Sequence, residues 1–367
     1  MPRPARGLIG GALIRFVVGA VAVVAAVAIY ATNYSHLTAG TIPLMHLAHD
    51  WGWTYDDVPD LAGATSVVTG ASSGLGLAVA QGLAEAGAAV VATARSEAKC
   101  AATIAAIEAR ARTCRAKPRC VVMELLSLRS VARAAEELGA LDVDHLVLNA
   151  GIMTPPFALS DDGLESQFQT NHLGHFYLLN ALLPALRRAA DARAAPSTVV
   201  AVSSIAHHFA PPDELWTAEA LNDAAGYDRL AWYGWSKLCN VLTARELNRR
   251  ERAAAAAGAA PKLIAHAVHP GGVRGKLLRF SKLPQRFIDA FEGAFYWSAT
   301  DAALTVLRPL LDPAFKAPET AGTYFAPIAR PWPASAAAAS AETAAKLWAA
   351  SDVLVADALG NWSAGAA

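Results

Sequence analysis

Two residues four positions apart carry the first chemical suggestion in this chain. Tyr233 and Lys237 fall in the stretch AWYGWSKLCN, from Ala231 to Asn240. In a helix, positions i and i+4 share a face and their side chains come within reach. A free phenol, with a pKa near ~10, is a weak acid–base catalyst at neutral pH. A neighbouring ammonium favours the phenolate and lowers that value, so the pair predicts a proton donor. The same spacing is common on solvated helix faces, and it gains meaning only from what surrounds it.

A second group implies a different chemistry. Gly70, Gly74 and Gly76 in VVTGASSGLGLAVAQGLAEAG follow one apolar run and open a helical pattern. Glycines there permit a tight turn and let backbone N–H groups approach a pyrophosphate at the positive end of a helix. The next apolar run ends Thr93-Ala94-Arg95-Ser96. Ala94 stands where an NAD site carries a carboxylate for the ribose 2′-hydroxyl. Arg95 follows it, and a guanidinium pairs with a 2′-phosphate that a carboxylate would repel. The expected cofactor is NADP(H).

These groups need a scaffold, and the chain supplies the pattern of one. The apolar runs TSVVTG, AAVVATA, RCVVME, VDHLVLNAG, STVVAVSS and LIAHAVHPGG alternate with long Ala-rich helical stretches. Continuous rather than alternating apolar strands suit a parallel sheet covered on both faces. Strand–helix repetition implies right-handed crossovers and an α/β fold with a doubly wound, mostly parallel sheet. The stretches AAAAAGAA (253–260) and ASAAAAS (334–340) read as a helix end and a surface loop.

The N-terminal segment stands apart. From Phe16 to Leu37 no Asp, Glu, Lys or Arg occurs. At ~1.5 Å per residue such a helix spans a ~30 Å hydrocarbon core. Residues 1–37 are therefore expected to be a single-pass transmembrane anchor, 38–60 a linker, 61–357 the folded domain and 358–367 a tail. A signal peptide cleaved near Ala26–Ala28 and a buried core helix are the competing readings. Arg3, Arg6 and Arg15 precede the apolar run, and by the positive-inside rule they place the N-terminus in the cytosol and the domain across the membrane. The need for cytosolic NADPH argues for the opposite side.

With 31 basic and 31 acidic residues the formal net charge is zero, unlike the basic domain of an electrostatic nucleic-acid binder. Of the four cysteines, Cys100, Cys114, Cys120 and Cys239, none forms a CxxC pair, and no His/Cys cluster has zinc spacing. They are expected to be reduced, with Cys114 and Cys120 the pair close enough in sequence to join in an oxidising compartment. Cys239 reads as a core residue, and His172, His175, His207 and His208 as packing or surface histidines. The basic run Lys99–Arg119 reads as a solvated helix and loop, with a patch for membrane headgroups as the alternative.

Taken together the motifs resemble those of the short-chain dehydrogenase/reductase family, over about Leu61 to Asp357 and in the family's order. TGASSGLG is similar to its cofactor motif, which implies cofactor contacts by Gly70, Ser72, Ser73, Gly74, Leu75 and Gly76, with Arg95 beyond. MELLSL resembles the segment that meets the adenine, implicating Glu124 and Leu125. LNAG resembles the family's Asn-Asn-Ala-Gly and implicates Asn149, Ala150 and Gly151, with Leu148 replacing the first Asn. FQTNHLGHF supplies the catalytic Asn as Asn171, VVAVSS the serine as Ser204, and YGWSK the Tyr233 and Lys237 of Tyr-x-x-x-Lys. HPGGVRG resembles the segment beside the nicotinamide and implicates Pro270, Gly271 and Val273; Gly275 stands where the family has Thr or Ser.

The resemblance implies that Lys237 also holds the nicotinamide ribose, that Ser204 bonds the substrate oxygen, and that Asn171 holds a water joining the lysine to solvent. NAGIMTPPFALSDDGLESQFQTNHLGHF is most similar to the branch of retinol dehydrogenases, their plant chloroplast relatives and light-dependent protochlorophyllide reductase. The aromatic and aliphatic residues of 205–232 and 273–297 suggest a hydrophobic cleft over the cofactor. The expected function is an NADP(H)-dependent oxidoreductase interconverting a carbonyl and an alcohol on a lipophilic small molecule, such as a retinoid, steroid or fatty aldehyde. The anchor adds membrane lipid as a partner and the endoplasmic reticulum or another organelle membrane as the location. A homodimer or a membrane-complex partner is left open. The alternatives are a tetrapyrrole reductase and a non-catalytic NADPH-binding subunit.

Overall fold

The computed structural model describes residues 52–360, apart from 112–114, 212–214, 256–259, 276–279, 281–285, 287, 290–291 and 294–295. The expected membrane anchor lies outside the described residues. Among those residues no helix is long and apolar enough to cross a membrane.

All six expected strands form. They are β1 (Thr65–Val68), β2 (Ala89–Ala94), β3 (Arg119–Val122), β4 (His145–Leu148), β5 (Ser197–Val202) and β6 (Leu263–Val268). Two short strands that the sequence reading missed, β7 (Tyr324–Ala326) and β8 (Arg330–Pro331), complete an eight-stranded sheet of order 3-2-1-4-5-6-7-8. Every pairing is parallel except β7 with β8. The order grows outward in both directions from β1 and β4, which pair in the register Ser66↔His145 through Val68↔Val147. In such sheets ligands bind beyond the carboxyl ends of the strands where the order reverses.

Helices α1 (Gly74–Glu85), α2 (Glu97–Arg110), α3 (Leu128–Gly139), α4 (Gly174–Arg193), α5 (Arg229–Ala254), α6 (Ala299–Leu311) and α7 (Ala341–Leu359) cover both faces. Side chains of α1, α2 and α6, among them Val79, Leu83, Ile107 and Leu307, form one apolar layer with Val68 and Phe325. Side chains of α3, α4, α5 and α7 form the other with Val67, Leu146 and Val199. The strands alternate between these two layers, which is why their sequences are apolar without interruption. Cys239 is fully buried in the second layer.

Three expectations change against this framework. Trp53 is buried in the first apolar layer and the Tyr55 hydroxyl donates to the Thr300 carbonyl at 2.8 Å, so the end of the expected linker belongs to the packed body. The stretch expected to be a surface loop contains a helical turn, Ala336–Ala339, with Ala338 fully buried against the α5 layer. The cysteines also differ: Cys100 is joined to Cys120, with a Cα–Cα distance of 5.3 Å. Cys100 faces inward from α2, and Cys120 lies on β3 opposite Ala92 of β2. The βαβ crossover brings them together, which closeness in sequence could not reveal. Cys114 lies outside the described residues.

Burial also fixes protonation. Desolvation holds His145, His172 and His269 down at about 3, and His175, His207 and His266 at about 4. Each stays neutral in the fold and takes up a proton on unfolding once the pH drops below 6.5, the unperturbed value. Their contribution to stability is whole above pH 6.5 and is lost as the pH falls toward 4, by about 1.4 kcal/mol per pH unit for each histidine. The urea midpoint is expected to fall steeply between pH 6.5 and 4.5. A midpoint that stays level across that window would show that these rings are not held neutral.

Candidate active site

A cleft of about 510 Å³ runs along the carboxyl ends of β1, β2, β4, β5 and β6. Its outer end is the turn between β1 and α1. Gly76 lies so close to Asn149 Nδ2 and the Gly70 carbonyl that an added Cβ would stand 2.3 and 2.6 Å from them. The helix start is drawn down onto β4 for this reason, and only glycine fits. Ser73 occupies the N-cap position of α1 with no side-chain cap bond. The first backbone N–H groups of the helix are thus available to an anion.

Next along the cleft come Arg95, just past β2, and Lys99 in the first turn of α2. Arg95 Nε lies 4.0 Å from Glu124 Oε2, and the two side chains are 59 and 34% exposed. An exposed pair this long contributes little, so the guanidinium is free to take another anion. Glu124 is held from below: its N–H donates to Ser130 Oγ at 3.0 Å, and its Oε1 accepts from the Leu126 N–H at 3.2 Å. The sequence places Lys99 only at the start of a basic run, whereas the structure puts it in the cleft. Its signal was its place one helical turn beyond Arg95.

At the inner end, helix α5 starts at Asp228, whose Oδ1 accepts from the N–H groups of Leu230 and Ala231 at 2.9 and 2.7 Å. One turn later come Tyr233, 5% exposed, and Lys237, 3% exposed. Ser204 follows β5 and lines the cleft beside Tyr233, close enough to act on its hydroxyl. This approach depends on Gly234. A Cβ there would meet the Ala206 carbonyl at 2.5 Å and the Ala210 nitrogen at 2.9 Å, so the glycine lets the turn after Ser204 lie against α5. A glycine inside an otherwise strong helical pattern is the sequence signal for that contact. The same turn is pinned by His207, whose Nδ1 donates to the Ser204 carbonyl at 2.7 Å and whose Nε2 accepts from the Ser335 N–H at 3.0 Å.

Lys237 Nζ donates to the Val202 carbonyl at 3.1 Å, and burial lowers its pKa to about 8. The expectation for Tyr233 is reversed here. Burial pushes its pKa up to about 12, opposed by the Ser204 hydrogen bond. Lys237 Nζ lies 5.7 Å from the ring centroid and points at a carbonyl, and desolvation is the largest influence on the phenol. Tyr233 therefore carries its proton at neutral pH, the form a donor requires.

All the residues expected to contact the cofactor line this one cleft, as do Ser204, Tyr233 and Lys237. Asn171 stands just behind it, fully buried. Its Oδ1 accepts from the Ile152 N–H at 2.8 Å, and its Nδ2 donates to the Ile152 carbonyl and to Ser236 Oγ, each at 2.9 Å. Ser236 Oγ in turn donates to the Tyr233 carbonyl at 2.7 Å. The Asn171 side chain is thus committed to fixing Ile152 and the backbone of Tyr233. The lining also includes His269, which the site reading missed. It is buried, and both its ring nitrogens lack hydrogen-bond partners among the described residues. Much of the 273–297 segment expected to line a hydrophobic cleft lies outside the described residues.

Comparison with known proteins agrees with this geometry. The family described as short chain dehydrogenase matches residues 64–214. A short-chain dehydrogenase/reductase of Aspergillus calidoustus is 36% identical over 298 residues, covering 79% of this chain and 93% of its own. Retinol dehydrogenase 13 of Mus musculus is 32% identical over 313 residues, covering 83% and 87%. A crystal structure of an uncharacterized protein from Mycobacterium Paratuberculosis superposes with a TM-score of 0.62 at 34% identity, covering 83% of this chain and 97% of that one.

Proposed function

This chain belongs to the short-chain dehydrogenase/reductase family and is an oxidoreductase, and on that premise we propose that it interconverts a carbonyl and an alcohol on a lipophilic small molecule with NADP(H). The observation that carries the reading is the continuity of one cleft. A glycine-shaped helix start and two cations lie at one end, and a buried, protonated Tyr233 beside Ser204 lies at the other.

The residues fit the dinucleotide. The open N–H groups of α1 suit its pyrophosphate, Asn149 to Gly151 and Leu125 its adenosine half, and Pro270, Gly271 and Val273 its nicotinamide half. Arg95 and Lys99 supply positive charge for a 2′-phosphate. Bound there, NADPH supplies the hydride. Ser204 donates a hydrogen bond to the substrate carbonyl oxygen, which orients it and draws off charge as the carbon is reduced. Tyr233 Oη gives its proton to that oxygen and is left as the phenolate. Lys237, one helical turn on, adds positive charge to the same region. In the oxidising direction the same groups act in reverse.

The likeness to retinol dehydrogenase 13 supports a lipophilic substrate, and so does the apolar run Phe16–Leu37, which we read as a single-pass anchor in the endoplasmic reticulum or another organelle membrane. The anchor, linker and catalytic domain are assigned to 1–37, 38–60 and 61–357. Residues from Trp53 onward pack on the body and belong with the domain in any truncation. The full-length protein is expected to stay with membranes through an alkaline carbonate wash; its release would remove the anchor from this reading.

Tyr233→Phe keeps the ring and removes the proton. With NADPH and lipophilic aldehydes or ketones in detergent, turnover is expected to fall by about 10²–10⁴-fold, with cofactor affinity changed little. A variant that keeps most of its turnover would overturn the mechanism. Replacing Arg95 and Lys99 together with alanine should weaken NADPH by about 10–100-fold per lost charge-assisted bond and NADH far less, read by titration of cofactor fluorescence. Equal losses for the two cofactors would show that neither residue meets the 2′-phosphate.

A further inference from the structure

His175 lies one helical turn past Asn171 and is 2% exposed. It does not line the cleft. Its two ring nitrogens nonetheless join the two halves of the site. Nδ1 lies 3.1 Å from the backbone carbonyl of Asn171, and Nε2 lies 2.9 Å from Thr69 Oγ1.

The chemistry of those partners settles the tautomer. A carbonyl only accepts, so Nδ1 carries the hydrogen. Thr69 Oγ1 already accepts from the N–H groups of Asn149 and Ala150, at 2.8 and 3.0 Å. Both its lone pairs are used, and what remains is its own hydrogen. The nearer acceptor for that hydrogen is His175 Nε2, at 2.9 Å, rather than the Val147 carbonyl, at 3.3 Å. Every group in the chain then has a matched partner: Asn149 and Ala150 donate to Thr69, Thr69 to His175, and His175 to Asn171. From Asn171 the chain continues through Ser236 to the carbonyl of Tyr233.

The backbone explains why such a strut is needed. Asn171 sits in a π-helical turn, Gln169–Leu173, ahead of α4. The wider i→i+5 turn loosens the ladder, and such turns occur often at functional sites. A side-chain donor from the next turn holds the Asn171 carbonyl in place.

We infer that His175 is a positioning residue for proton transfer, a bridge that keys the turn bearing Asn171, and through Ser236 the Tyr233 backbone, to the strand ends that form the cofactor cradle. Burial keeps the ring neutral, with a pKa of about 4, so the bridge is intact throughout the neutral range. Lys237 is the charged group that acts on it. The role rests on the reading of Tyr233 as proton donor, and the test separates the two.

The protein itself supplies a conservative variant. Asn180 and Asn248 each donate from Nδ2 to the carbonyl four residues earlier, at 2.8 Å. His175→Asn can make the same bond to the Asn171 carbonyl while losing Thr69, whereas His175→Phe keeps a ring and loses both bonds. For His175→Phe, kcat is expected to fall by about 10–10²-fold, the scale of a misplaced catalytic group, with the pH profile of kcat displaced and KM for NADPH changed only a few-fold. His175→Asn, which keeps one of the two bonds, should fall between His175→Phe and the wild type in both kcat and pH profile; full recovery would show that the Thr69 bond, and with it the bridge, is not needed.

The second readout needs no turnover. Long-range ¹⁵N NMR of the histidine rings should show His175 as the Nδ1–H tautomer; an Nε2–H ring would overturn the bridge. The bridge is also overturned if folded His175→Phe keeps full kcat, or if both variants lose kcat in proportion to their melting temperatures with an unmoved pH profile. A Tyr233→Phe protein that stays active would instead overturn the proton-donor reading, and the tautomer would still report on the bridge.

Discussion

Past Val68↔Val147, their last paired residues, strands β1 and β4 part from one another and must end in a shared, ordered edge. Two short side chains make that edge. Thr69 receives the N–H groups of Asn149 and Ala150, and Asn149 Nδ2 donates to the Thr69 carbonyl at 2.8 Å. Buried backbone groups with no strand partner cost free energy unless something else satisfies them, and here the two strand ends satisfy each other. Everything at the cleft hangs from this seam. The glycine turn rests on Asn149, Gly151 lies against Asn171 and Lys237, and the turn before α4 is braced back to Thr69.

The parts legible in the sequence were those with local signatures. Six strands had continuous apolar runs, and the glycine turn, Ser204 and the Tyr233–Lys237 pair had fixed spacing within one element. β7 and β8 were not legible, because three residues and two residues carry no period; β7 exists by pairing with β6 at Ala267↔Tyr324 and Val268↔Phe325. Cys100 and Cys120 meet through a crossover, and Gly234 matters through a turn that is distant in sequence. The sequence leaves the histidines as packing or surface residues, and His175 and His207 are packed. What the sequence did not show is that each also aims a ring nitrogen at the backbone of a site residue.

The Tyr233 reversal has the same origin. Spacing shows that an ammonium can approach a phenol. It does not show how much water both have lost. The surrounding sheet and helices desolvate the pair, and desolvation disfavours charge on either one: it lowers the lysine and raises the tyrosine. The phenol keeps its proton until a reaction gives it somewhere to go, and Ser204 is the group placed to hold the oxygen that takes it.

The strand order also governs the chain's birth. β1 is made first but lies at the middle of the sheet, and its partner β4 lies 79 residues later, Ser66 against His145. At ~5–20 residues per second of synthesis, a nascent β1 waits roughly 4–16 s for β4. Until then it can pair only with β2, as the edge of a two- or three-stranded fragment with an apolar row exposed. Assembly of the central seam is thus a late, long-range event, and the half of the protein that forms the cofactor cradle spends its first seconds as the part most in need of protection from wrong partners.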